Sequence, residues 1–183
     1  LVVLSVLLNL FGRVLVDALA LPLHLDMTGT AVSAIALGPW WGALVGLVTN
    51  SAGVGLSGIS SLPFALVNVT GALVWGYGVH RFGMGRSIPR FFCLNAVAAV
   101  ACSCVATPII LLYSGAIDHG SDGVAARVVT LVHAAVVGVF LSNLLISFLD
   151  KSISGFVALV VVESRATSPT RLTMDAADQA PQG

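Results

Sequence analysis

His24 and Asp26 in one stretch, and Asp118, His119 and Asp122 in another, are the side chains of this 183-residue chain best suited to holding a small ligand. Carboxylates and imidazoles can grip a polar or cationic molecule by charge-assisted hydrogen bonds. The same groups could ligate a transition ion, but no close pair of histidines supports a metal site, and none is expected. The plainer alternative is that they are solvated loop residues; Asp26 has a further structural use, capping a helix that begins near Gly29 and Thr30. Asn50, Asn68, Asn95 and Asn143 are amides inside apolar runs, where each needs a partner helix, a water or a ligand. Arg13 and Asp17 are spaced i and i+4, so a helix sets them on one face as an ion pair, either structural or turned toward a ligand or partner. Catalysis is not expected. There is no nucleophile beside a base at a readable spacing, no HExxH and no glycine-rich phosphate loop, so no cofactor is expected either.

The elements that must position these residues are membrane helices. Hydrophobic residues make up 57% of the chain and charged residues 9%, with a mean hydropathy of +1.02. Runs of this apolarity cannot be hidden inside a domain so small, which makes the chain an integral membrane protein embedded in a lipid bilayer. The net charge of zero gives no reason to expect nucleic acid. Cys93, Cys102 and Cys104 form no secreted disulfide pattern and are read as small packing residues. The chain does not open on methionine, so a trimmed first helix is expected.

Leu23 to Asn50 is the organising stretch. Two apolar runs, Thr30 to Leu37 and Trp41 to Thr49, each under half the roughly 20 residues needed to cross upright, meet at Gly38-Pro39. Proline suits a first helical turn and glycine a tight bend, which predicts a helix–turn–helix at membrane depth shielded by other helices. Around it, Leu1 to Leu21, Phe64 to Tyr77 or beyond, and Phe91 to Tyr113 with a kink at Pro108 read as full spans. Ser51 to Pro63 reads as a Gly/Ser loop, and Ala126 to Val162 as a helix ending near Asp150 with a continued or interfacial remainder. Gly42 and Gly46 form a GxxxG that admits a close neighbour. Trp40, Trp41 and Trp75 are read as an interfacial belt.

The prediction is therefore an all-α membrane protein of six transmembrane helices, the second and third short and joined by a Gly-Pro turn. Residues 1–162 form the membrane domain and residues 163–183 a disordered cytoplasmic tail. Arg81, Arg86 and Arg90, with no acid among them, mark a cytoplasmic loop. Counting outward from a cytoplasmic N-terminus sets Arg165 and Arg171 on the same side, and His24, Asp26, Asp118, His119 and Asp122 on the other.

Asp26-Met27-Thr28-Gly29-Thr30, leading through Gly38-Pro39-Trp40-Trp41-Gly42 to Thr49-Asn50, resembles the substrate-binding (S) components of energy-coupling factor (ECF) transporters, the vitamin-uptake branch of the ABC transporters. Pro63 to Asn68 with Gly71, and Leu149-Asp150-Lys151 with Ile153, are similar to the same group, and the likeness covers residues 10–162. The resemblance implies a multi-pass protein of a bacterial plasma membrane that captures a vitamin or other micronutrient at the outer face. Its partners would be a transmembrane coupling subunit and two cytoplasmic ATPase subunits. On this reading Asp26, Asn68, Asn143, Asp118 and His119 enclose the substrate. The family's Ala-x-x-x-Ala docking patch is missing from the first helix, where Gly12 and Ala20 are the small residues nearest an appropriate face. The rival reading is a sensory or assembly module that pairs with partner helices through Gly42, Gly46, Ala134 and Gly138.

Overall fold

A computed structural model describes residues 1–21, 23–113 and 125–166, with side chains for all of these except 113, 125–133, 165 and 166. All regular structure among the described residues is helical: α1 (Val2–Ala18), α2 (Thr28–Leu37), α3 (Pro39–Ala52), α4 (Val54–Ser57), α5 (Ser61–His80), α6 (Ile88–Tyr113) and α7 (Ala125–Ala166). A 3-10 turn, Met84–Arg86, joins α5 to α6. Three helices are long and apolar enough to cross a membrane, over Ser61–His80, Ile88–Leu112 and Ala134–Ser164.

The break falls at Gly38. The Gly38 N–H closes α2 on the Ala34 carbonyl at 3.1 Å, and the residue then swings to φ 110°, ψ 166°, a conformation open to glycine alone. Pro39 starts α3 at the position where its missing N–H costs nothing. The two helices have 10 and 14 residues, too short to cross upright. α2 is the centre of the bundle, with Thr28 to Ile35 buried and α1, α3, α5 and α7 packed around it. The body of α2 is thus covered by protein, while the break at Gly38 is half-buried.

Small residues allow this density. A methyl on Gly42 would stand 2.6 Å from the Ala34 Cβ of α2, and one on Gly46 would stand 2.7 Å from the Asn68 Cβ of α5. The GxxxG therefore serves two neighbours inside the fold, and neither glycine is left to pair with a partner helix. Apolar side chains also face outward: Val137, Leu141, Leu145, Leu149, Ile153 and Val157 recur every fourth residue along the exposed face of α7. Buried asparagine, serine and threonine hold the helices together from within.

Several elements differ from the sequence reading. The Ser51 to Pro63 loop contains the end of α3, the short α4 and the start of α5. α7 is one helix of 42 residues running through Asp150-Lys151 to Ala166, past the expected start of the tail. It continues because the two charges pair with each other, Lys151 Nζ to Asp150 Oδ2 at 2.6 Å, so neither forces an exit to water. Trp75 is fully buried and donates its indole N–H to Asn95 Oδ1 at 2.8 Å, whereas Trp40 and Trp41 are exposed.

Candidate binding cavity

Beside the Met27 end of α2, among the ends of its neighbours, lies a cavity of about 300 Å³. Arg13, Val16 and Asp17 of α1, the Leu23–Met27 connection, Ser57 to Ser61 and the first turns of α5 form its outer part; Ala106 of α6 and Asn143, Ser147 and Lys151 of α7 close it. The cavity sits at the Ser61 end of α5, and the turn bearing Arg81, Arg86 and Arg90 sits beyond the His80 end. At 1.5 Å per residue those two ends are about 30 Å apart, the thickness of a hydrocarbon core.

The α1–α2 connection is pinned from three sides. Leu25 takes a left-handed φ of 44° and gives its N–H to Asp150 Oδ1 at 2.7 Å. Its carbonyl packs so closely on Gly12 that a Cβ there would collide with it. The third tether corrects the sequence reading of Arg13. Its partner is Asp26, at 2.9 Å, not Asp17 one turn along α1, because the connection folds back over the helix. The same guanidinium reaches Ser61 Oγ at 2.9 Å and Asn50 Oδ1 at 3.2 Å. Asp26 makes no capping bond to α2.

That capping role belongs to Asn9 of α1. Asn9 Oδ1 accepts the Gly29 N–H at 2.7 Å and the Thr30 N–H at 3.4 Å, satisfying donors that a helix start leaves free. Its Nδ2 donates to Thr30 Oγ1 at 2.9 Å and Thr49 Oγ1 at 3.1 Å. Thr30 then donates to Asn68 Oδ1 at 2.9 Å, and Asn143 Nδ2 donates to Ser103 Oγ at 3.0 Å.

Asp26, Asn68 and Asn143 thus come together around one cavity. Asp118, His119 and Asp122 lie outside the described residues. His24 lines the cavity too and is exposed. Sequence reasoning took Lys151, which is 2% exposed, as part of a pair that interrupts an apolar run and of a family-like motif but not as a cavity residue, and it passed over Ser147 and the serines of the α4–α5 connection. An ionisable residue within an apolar run was the available signal for Lys151. Among the described residues no group of three or more His, Cys, Asp or Glu is placed to hold a metal ion.

Two buried side-chain polar atoms among the described residues lack both a partner and solvent contact, Asn95 Nδ2 and Ser152 Oγ. Asn68 Nδ2, Asn143 Oδ1 and Ser147 Oγ also have no hydrogen-bond partner among the described residues, and all three residues line the cavity. No family model, curated protein or solved structure matches the chain.

Proposed function

We propose that the chain is the substrate-capturing membrane subunit of an ECF-type importer, taking up a micronutrient from the outer face. The observation that carries the reading is a cavity rimmed and floored by polar side chains, several of them with unused hydrogen-bonding capacity, inside a bundle whose surface is apolar. Buried polar groups at membrane depth are costly and are kept where they serve a ligand or a path. On this reading α1, α2, α3, α5, α6 and α7 are the six crossings. The arginine turn faces the cytosol by the positive-inside rule, and the cavity opens on the opposite side. The half-length α2–α3 pair folds at Gly38-Pro39 toward the far end of α5, where Pro39 packs on Gly76, and the start of α2 at Met27 adjoins the cavity.

Co-expression with an ECF coupling subunit and its two ATPase subunits tests the proposal. The expected result is a stable complex, and native mass spectrometry of the capture subunit showing one small molecule per chain. A chain that binds no small nutrient and joins no coupling subunit overturns the proposal.

A further inference from the structure

The hydrogen-bond relay through α2 fixes which way the Asn68 amide faces. Asn9 Oδ1 is committed to the backbone N–H groups of Gly29 and Thr30, so its Nδ2 must donate to Thr30 Oγ1. The Thr30 hydroxyl proton is then directed to Asn68 Oδ1, which leaves the Asn68 NH2 as the end of the relay. That NH2 has no acceptor among the described residues, and Asn68 lines the cavity. Lys151 adds to it: its ammonium has three N–H groups, and Asp150 is its one partner among the described residues. Against these N–H groups the inner part of the described lining sets two unpartnered oxygens, Asn143 Oδ1 and Ser147 Oγ, and the serine hydroxyl can itself donate, so donors outnumber acceptors.

The charges are otherwise balanced. Arg13 is neutralised by Asp26 and Lys151 by Asp150. Asp17, exposed at the cavity, has no ion-pair or hydrogen-bond partner for its carboxylate among the described residues. A bare anion would satisfy the inner donors but meet an unopposed carboxylate at Asp17. A bare cation would suit Asp17 but face N–H groups inside.

We infer that the cavity selects a small zwitterion, held with its carboxylate against Asn68 and Lys151 and its cationic group at Asp17; this rests on the capture reading above. The volume of about 300 Å³ is at the lower end for ligand sites and suits a molecule of amino-acid to small-heterocycle size.

The test uses the purified full chain and three zwitterions, β-alanine, L-histidine and L-tryptophan, each compared with its methyl ester and its des-amino acid by thermal shift and native mass spectrometry. At least one zwitterion is expected to bind below about 1 mM, more tightly than either of its relatives. Asn68→Asp, which keeps the acceptor for Thr30 and replaces the NH2 with a carboxylate oxygen, is expected to weaken that binding at least about tenfold. Asp17→Asn, at an exposed position where folding is not at stake, is expected to weaken the zwitterion about 3- to 5-fold and to improve the des-amino acid. Absence of zwitterion binding, equal binding of the ester, or indifference to Asp17→Asn overturns the inference. If the chain still assembles with the coupling module, only the ligand class falls. If it neither assembles nor binds any small molecule, capture itself falls.

Discussion

The backbone N–H of Leu25 donates to Asp150 Oδ1 at 2.7 Å, across 125 positions of chain. One carboxylate thereby fastens the α1–α2 connection to α7 and neutralises Lys151 beside the cavity. A helix-breaking dipeptide in the sequence is, in the fold, the joint between the last helix and the first loop.

Asp150→Asn keeps an acceptor for Leu25 but strands the buried Lys151 ammonium. It is expected to cost about 3–5 kcal/mol, the usual penalty for leaving one half of a buried pair. Removing both charges in Asp150→Asn with Lys151→Gln should recover most of that loss. Thermal unfolding midpoints of the two variants in detergent check this, and a double variant no more stable than the single would contradict it.

Asn9→Ala takes away the acceptor for two backbone N–H groups and the donors to Thr30 and Thr49. Each buried group left unmatched costs about 1–3 kcal/mol, so the loss should be among the largest of any alanine substitution in α1. Ser51→Ala, at an exposed hydroxyl bonded to the Leu47 carbonyl, should stay within about 0.5 kcal/mol of the parent. The pair is read by denaturation under identical conditions.

Gly46→Ala and Gly138→Ala make the same chemical change in opposite surroundings. The new methyl at Gly46 meets Asn68 Cβ at 2.7 Å and must push α3 from α5, at a cost of about 1–3 kcal/mol. Nothing lies within 4 Å of a methyl at Gly138, so the gain in helix propensity, up to about 1 kcal/mol, should appear undiminished. Melting curves that move in the same direction for both would refute the internal role of the Gly42-Gly46 motif.

Single cysteines map the orientation. In a chain with Cys93, Cys102 and Cys104 replaced by alanine, Ser57→Cys should react with an impermeant maleimide on intact cells, and Ser87→Cys only after the membrane is opened. Both positions are exposed, one beside the cavity and one beside the arginine turn. The reverse pattern would turn the cavity toward the cytosol and end the uptake reading.

Features governed by local chemistry were legible in the sequence. The Gly38-Pro39 junction was one, since glycine and proline restrict the chain wherever they stand. Asn68 and Asn143 stood out because an amide in an apolar run must find a partner. Features set by distant contacts were not. Arg13 and Asp17 obey the i, i+4 rule, yet the guanidinium turns to Asp26 because the Leu25 bend carries that carboxylate back over α1. Nothing local marks Asn9 among the residues of the first span as a cap for α2; its role depends on the start of α2 arriving beside it. Asp150-Lys151 looked like an exit to water because adjacent charges in sequence do not reveal that they satisfy each other in space.

The 42 residues of α7 rise about 63 Å, about twice the thickness of a hydrocarbon layer and more than ordinary tilting absorbs. Some of that rod must stand clear of the acyl chains. Its backbone has no joint between the protruding part and the turns carrying Asn143, Ser147 and Lys151. A displacement of either tip by a neighbour would pass along one continuous helix to the pocket wall, as through a mast stepped in a hull.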